Sequence, residues 1–456
     1  MGSISSALSS AASALTVFGK TFDTIENNIT NANTPGYAEQ EQSLQAEAFD
    51  PATGLAGGVA AGPLISTREE YLEQGVRDQQ QSLGYSTQLA GDLGQVQPLF
   101  DLTSTTGVAN SLNSFFNTFS QLTVNPNDEV SRQAVITAAD TLAQNINQSA
   151  SGIQQVSANA TSETGTVVTQ INQLASQIAS INQQYQGNSQ STADESLDTD
   201  VHNALETLSG LANISVIRSS NGAYNVYLGG QTPLVLGDTV SAISTSNVSS
   251  RTAILDSNGN DVTSQITGGQ LGALVQETNT TLPGYVNTLN TLAKSLADTV
   301  NSTLANGVDE NGNAGAALFS YDQASNAAST IAVTGITTDQ IAAASATAPG
   351  GNDNAVALTG LGTSPEVGGY SFTQFYGNLG AQVGSDVSSA QQDQTQDQDQ
   401  LTQAQAQRSS VSGVDINTEA AQVLQFEQAY TAVGKLVSVL QDLTTTIIDA
   451  VQATTT

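Results

Sequence analysis

Apolar residues recur in alternating steps of four and three at both ends of this 456-residue chain. Near the N-terminus the series is Ile4, Leu8, Ala11, Leu15, Phe18, Phe22, Ile25 and Ile29; near the C-terminus it is Val423, Phe426, Tyr430, Val433, Val437 and Leu440. Such spacing puts one narrow apolar stripe on one face of a helix, the seam along which helices pack side by side. The first series predicts a helix over 3–31, roughly 40 Å long at 1.5 Å per residue. It runs into Asn33-Thr34-Pro35-Gly36-Tyr37. There Pro35 presets φ and Gly36 tolerates a positive one, so a type II turn is expected. An extended, glycine-rich stretch follows through Gly62.

Between the ends the period changes several times. A helical region is predicted over about 69–185, interrupted at Asn125-Pro126-Asn127, with Asp128 as the N-cap of the next helix. Val167, Ile171, Leu174, Ile178, Ile181 and Tyr185 form another seam, flanked by Gln, Asn, Ser and Thr. Partner choice there has to rest on shape and polar hydrogen bonds, because cations for ionic pairing are scarce. From about 213 the runs turn short and β-like: 214–217 and 224–228 around Ser220-Asn221-Gly222, continuing to about 266 with Asn258-Gly259 as a hairpin-type turn. Helical spacing returns at Tyr285, Leu289, Leu292 and Leu296. A second β-prone patch covers 330–333, and Pro349-Gly350-Gly351 breaks the chain. The Gln/Asp-rich section 391–407 reads either as a flexible linker or, lacking Pro and Gly, as a solvated helix.

The fold class expected is mainly α with a β-rich insertion, nested and elongated. It comprises a terminal helical core (1–48 with 409–456), a helical middle domain (49–212 with 268–306 and 353–408) and an outer β-rich domain (213–267 with 307–352). Single-stripe helices bury too little alone to offset the entropy of ordering. The two ends are therefore expected to be disordered in isolation and to fold on assembly. The predicted interface is Leu8, Leu15, Phe18, Phe22, Ile25, Ile29, Val423, Phe426, Tyr430, Val433, Val437 and Leu440, with Asn33, Pro35, Gly36 and Tyr37 as its turn motif.

Composition narrows the partners. Nine Lys+Arg stand against 41 Asp+Glu, a net charge of −32, which disfavours nucleic acid and anionic membrane surfaces. No stretch approaches 18 apolar residues, so no membrane insertion is expected. Residues 1–20 lack the basic leader and compact apolar block of a Sec signal. With no Cys and the single His202, neither a thiolate or His-based metal site nor a His triad has material to build from. No nucleophile-elbow or phosphate-loop motif is present. Asp256-Ser257-Asn258-Gly259-Asn260 and Asp309-Glu310-Asn311-Gly312-Asn313 imitate calcium loops. Their Gly falls at the fourth position and the twelfth residue is Thr267 or Ser320, so polar turns are expected. No enzymatic role, cofactor or metal follows from these residues.

Asn27-Asn28-Ile29-Thr30-Asn31-Ala32-Asn33-Thr34-Pro35-Gly36-Tyr37 resembles the N-terminal signature of bacterial flagellar rod, hook and hook-associated proteins. Ser412-Gly413-Val414-Asp415, Glu419-Ala420-Ala421 and Phe426-Glu427-Gln428-Ala429-Tyr430 resemble the matching C-terminal signature. Internal stretches are similar to the hook-associated FlgK family: Phe115-Phe116, Asn125-Pro126, Arg132-Gln133-Ala134-Val135, 268–274, Leu282-Pro283-Gly284-Tyr285 and 351–355. The resemblance implies an axial junction protein whose terminal helices line the export channel. It also implies a ring of like subunits between the hook protein and a second junction protein, FlgL. The chain would be held by the export chaperone FlgN and pass through the flagellar type III export apparatus to the outside of the cell. A hook or distal rod subunit is the alternative within the family; a secreted coiled-coil adhesin is the alternative outside it.

Overall fold

The computed structural model describes residues 2–48, 57–102, 106–187, 194–248, 251–323 and 326–454. Helix α1 (Gly2–Asn31) leads through a tight turn into an antiparallel hairpin, β1 (Gln40–Ala46) with β2 (Val59–Ser66). Residues 49–56 of the expected extended stretch lie outside the described residues. Then come α2 (Glu70–Val96) with a 3-10 turn to Phe100, α3 (Val108–Val124), α4 (Glu129–Gly187) and α5 (Glu195–Leu211). Asp128 caps α4 as expected, its carboxylate accepting from the Ser131 N–H at 2.9 Å.

A four-stranded antiparallel meander follows: β3 (Ile214–Arg218), β4 (Tyr224–Leu228), β5 (Thr232–Leu236) and β6 (Thr239–Val240). Beside it is the hairpin β7 (Ser244–Val248) with β8 (Arg251–Leu255). Helix α6 (Gly269–Gln276) and helix α7 (Leu282–Ala305) form one stretch joined by a π turn at Glu277–Thr281. Pro283 explains the wide turn, since it offers no N–H and its ring crowds the carbonyl four residues back. Short strands β9 (Gly307–Val308), β10 (Phe319–Ser320), β11 (Ala332–Val333) and β12 (Ala344–Ser345) surround the single turn α8 (Ala327–Thr330). They pair as β9 with β12 and β10 with β11. Helices α9 (Asp353–Leu361), α10 (Phe372–Ser412) and α11 (Ile416–Thr454) complete the chain. Section 391–407 is thus the solvated helix of its two readings.

Helix α4 is the spine: 59 residues, roughly 90 Å at 1.5 Å each. Its first half, Val135 to Val156, enters a core with α3, α7, α9, α10 and the short strands. There Phe115 meets Phe116, Phe119 and Phe319 at centroid separations of 5.1, 5.2 and 5.5 Å. Arg132 ties the α3–α4 turn to the neighbouring loop, donating to the carbonyls of Pro126 (2.8 Å) and Ile341 (2.6 Å). The second half of α4, Ala160 to Tyr185, enters a separate core with α5, α6 and β3–β8. The seam 167–185 is therefore satisfied inside the chain, by a helix and a sheet. The β-bearing stretches 214–255 and 319–343 feed different cores. Among the described residues no helix is long and apolar enough to cross a membrane.

Helices α2 and α5 cross so closely that a Cβ added at Gly84 would sit 2.0 Å from the Gly210 carbonyl oxygen, whereas one at Gly75 would meet nothing within 4 Å. Ala is favoured over Gly in helix interiors by about 0.5–1 kcal/mol. In thermal melts Gly75→Ala is therefore expected to be neutral to stabilising by about that amount. Gly84→Ala is expected to lower the melting temperature, although it makes the same propensity gain.

Candidate assembly interface

The two predicted seams meet each other within one chain, so the ends form an ordered helical pair there rather than the disordered segments expected in isolation. Along the α1–α11 pair, Phe18 packs on Phe426 with ring centroids 5.8 Å apart, and Phe22 packs edge-on against Tyr430 at 6.4 Å. On α1, Ile25 is buried; Leu8, Leu15, Phe18 and Phe22 are half-buried; Ile29 is exposed. On α11, Val423, Phe426, Val433, Val437 and Leu440 are half-buried and Tyr430 remains 45 % exposed. Helix α1 also lies against the β1–β2 hairpin.

A second apolar stripe runs along α11 that α1 does not cover. Ala432, Leu436, Val439, Leu443 and Ala450 are all exposed, Leu436, Val439 and Leu443 by about half. The first four each immediately precede a seam residue or its heptad continuation at Thr444, so the stripes lie about 100° apart around the helix. Its 4-3-4-7 spacing was present in the sequence. It was overlooked because it interleaves with the stronger seam.

The pair is closed at one end by a buried amide. Asn28 donates from Nδ2 to the Gln40 carbonyl (2.9 Å) and to Glu419 Oε1 (2.7 Å). Its Oδ1 accepts from the Tyr37 hydroxyl (2.9 Å) and the Gln40 N–H (3.0 Å). All four hydrogen-bonding sites of one side chain thereby link α1, the turn, β1 and α11. Burial, with Glu195, Glu419 and Glu39 nearby, pushes Tyr37 up to about 12, so its hydroxyl stays a donor. Burial also raises Glu419. The turn has the expected type II features: the Tyr37 N–H reaches the Thr34 carbonyl at 3.2 Å and Gly36 has φ +75. Gly36 is needed twice, because a Cβ there would lie 2.2 Å from Asn203 Oδ1. Asn33 and Pro35 are exposed, and Asn203 donates to the Pro35 carbonyl at 3.1 Å.

Behind the turn lies a buried charge network. Arg68 pairs with Glu73 (2.8 Å), Asp198 (2.6 Å) and Glu195, and donates to the Gly36 carbonyl (2.9 Å). Burial opposes its charge, but Asp198, Glu195 and Glu73 outweigh that and hold the guanidinium above its ordinary value. Arg408 of α10 bridges Glu73 (3.0 Å) and Glu206 (2.7 Å). His202, 2 % exposed, sits among these groups, and burial followed by the surrounding arginines holds it well below its ordinary value. The Tyr224 hydroxyl donates to Asp198, so neutral His202 contributes its Nε2–H to that hydroxyl at 3.1 Å. The solitary histidine is thus a packing and hydrogen-bonding residue. Further strands of the joint are the Glu39 N–H to the Ser412 carbonyl (2.8 Å) and Ser412 Oγ to the Thr67 carbonyl (3.0 Å). A cleft of about 980 Å³ opens beside them, between the turn and α2, α5 and α10. None of Arg68, Glu73, Glu195, Asp198 or Arg408 was singled out from the sequence.

The two calcium-like loops are polar turns. Asp256 Oδ1 accepts from the N–H groups of Asn258 and Asn260, and Asp309 Oδ1 from those of Asn311 and Asn313.

Comparison with known proteins places this architecture. Residues 93–319 match the sequence model of the flagellar hook-associated protein FlgK helical domain. Flagellar hook-associated protein 1 of Bacillus subtilis (strain 168) is 25 % identical across 97 % of this chain and 97 % of its own. The protein of the same name from Salmonella typhimurium is 27 % identical over 73 % of this chain and 63 % of its own. The solved structure of the flagellar hook junction protein FlgK from Burkholderia pseudomallei superimposes with a TM-score of 0.66 at 17 % identity, covering 74 % of this chain and 100 % of that one.

Removing the buried amide should loosen the terminal pair selectively. Asn28→Ala leaves the Glu419 carboxylate, the Tyr37 hydroxyl and the Gln40 backbone without their partner, a cost of about 1–3 kcal/mol. Limited proteolysis should then cut within α1 and α11 while the body stays resistant. Arg68→Leu removes the close cation of buried Glu195 and Asp198, leaving Glu73 to Arg408 alone, and is expected to cost more, about 3–5 kcal/mol, read as a larger fall in melting temperature than for Asn28→Ala.

Proposed function

The chain belongs to the FlgK family of flagellar hook-associated proteins, structural components of the flagellum, and from that premise we propose that it forms the junction between hook and filament through its terminal helices. The observation that carries this reading is the second stripe on α11. A helix that is apolar on two faces, with one face covered by α1, requires a further neighbour. In the proposed assembly that neighbour is the terminal pair of an adjacent copy, and the repeated contact builds a ring. The predicted seam residues, from Leu8 to Ile29 and from Val423 to Leu440, then hold each pair together. Leu436, Val439 and Leu443 join pair to pair.

On this reading 1–48 with 409–456 is the terminal unit, and the two-core body lies outside it. The neighbours along the axis are the hook protein on one side and FlgL on the other. Before assembly the exported chain is held by FlgN and passes unfolded through the type III apparatus to the cell exterior. The family is one of structural proteins, not enzymes.

Two experiments test this. Leu436→Asp with Leu443→Asp should leave the monomer's circular dichroism and body stability unchanged, yet prevent recovery of motility when supplied to cells lacking the protein. Full complementation by that variant would reject the second stripe as the contact between copies. Deletion of the protein should leave completed hooks and release unpolymerised flagellin into the medium; an absence of hooks would indicate a hook or rod subunit instead.

A further inference from the structure

Where α2, α4 and the π turn meet, three carboxyl side chains gather with no cation among them. Glu277 opens the π turn and is completely buried, and neither of its oxygens receives a hydrogen bond from an amide, a hydroxyl or a cationic group. Its facing group is Asp92 of α2. The amide donors nearby are already committed. Gln88 Nε2 donates to Asp92 Oδ2 at 2.7 Å and, more weakly, to Glu163 Oε2 at 3.4 Å. Gln95 Nε2 donates to Asp92 Oδ1 at 3.3 Å, and Gln270 Nε2 is shared between Glu163 Oε1 (2.9 Å) and Gln88 Oε1 (2.8 Å). Asp92 and Glu163 therefore have donors and Glu277 has none. An ionised Glu277 would be a buried, unpaired charge facing a second carboxylate, the arrangement that side chains avoid by taking up a proton.

We propose that Glu277 and Asp92 form a buried proton-binding site, with Glu277 carrying the proton and donating it to an Asp92 oxygen, so that one shared proton closes the joint between α2, α4 and the α6–α7 stretch. A metal ion fits the site less well, because the Asp92 and Glu163 oxygens point at N–H donors that a cation would have to displace. Among the described residues, no group of three acidic or His side chains has metal-holding geometry. The titratable groups facing Glu277 are Asp92 and Tyr85 on α2 and Glu163 on α4. Burial, followed by the Asp92 hydrogen bond and the charges of Asp92 and Glu163, pushes the carboxyl up to about 11 from 4.5.

The sign of the linkage is fixed by this. Between about 4.5 and 11 the folded chain holds a proton on Glu277 that the unfolded chain has released, so this site's contribution to stability is greatest below 4.5 and declines as pH rises through the interval. Each pH unit lowers the folded-to-unfolded ratio by up to about tenfold. The test is thermal unfolding of the full chain between pH 7 and 9, above the titration of ordinary carboxyls and of His202 in the unfolded chain and below that of tyrosine. The wild-type midpoint should fall across this range. Glu277→Gln replaces the shared proton with an amide donor that does not titrate, so it should melt no lower than wild type at pH 7 and show a flatter pH profile. An unchanged slope in Glu277→Gln would overturn the proposal. So would a rise in the wild-type midpoint on adding calcium that Glu277→Gln lacks, since the cluster would then be a cation site. Infrared spectroscopy of the wild-type protein decides the matter even if the variant does not fold: a protonated-carboxyl C=O band is expected at pH 7, and its absence refutes the shared proton.

Discussion

Asn28 hydrogen-bonds to Glu419, 391 positions away in the chain, and the remaining architecture is arranged around that meeting of the two ends. Once α1 and α11 are paired, everything from β1 to the end of α10 becomes an insertion that must leave and return at the same place. The chain leaves through the turn at Pro35-Gly36 and returns at Ser412-Gly413, and the Glu39–Ser412 and Ser412–Thr67 hydrogen bonds join the two crossings. Nesting is a consequence of this closure. The long α4 spine with a core on each half is how the inserted segment extends away from the pair.

A chain with nine cations in 456 residues has to organise its polar interior by other means. Four of its six arginines (Arg68, Arg77, Arg218 and Arg408) surround His202 and the α2–α5 carboxylates. Elsewhere the work falls to asparagines, which use both ends of the amide against backbone. Asn182 accepts from the Tyr224 N–H and donates to the Tyr224 carbonyl; Asn172 does the same with Ile243, and Asn279 with Thr252. Each amide mimics one rung of a β-ladder and fixes a strand, or the residue leading into one, to a helical segment with a defined register. An Asn that makes two such bonds is satisfied without any charge. The shared proton proposed at Glu277 is the same economy applied to a carboxyl group.

These differences decide what the sequence could disclose. The terminal seams, the Pro35-Gly36 turn and the Asp128 cap were legible because each is a local pattern with a local physical cause. The second stripe on α11 was obscured by its neighbour, since two interleaved 4-3 patterns resemble a generally apolar helix. The Arg68 network joins positions 36, 68, 73, 195, 198, 206 and 408, and no periodicity links residues that only the tertiary fold brings together. Two-residue strands such as β9 and β10 carry no alternation, so nothing in the sequence indicated that they belong to the first core rather than beside β3–β8. The bridging asparagines carried no mark in the sequence, because a ladder-mimicking Asn and a solvated one are the same letter.

The joint between the terminal pair and the body is polar, and that choice of chemistry has a consequence. Apolar contacts are non-directional and tolerate sliding, whereas the Asn28, Arg68, Asn203 and Ser412 bonds each require a particular distance and angle. Buried ionic groups add little net stability compared with an apolar core, and where they are retained their value lies in specifying one arrangement. The cleft beside the turn leaves the joint unsupported by packing on that side, so its angle depends on those bonds. In the proposed ring every copy must present its body at the same angle to its terminal helices. A joint with discrete geometry meets that requirement, and it leaves the apolar stripes free to serve the contacts between helices.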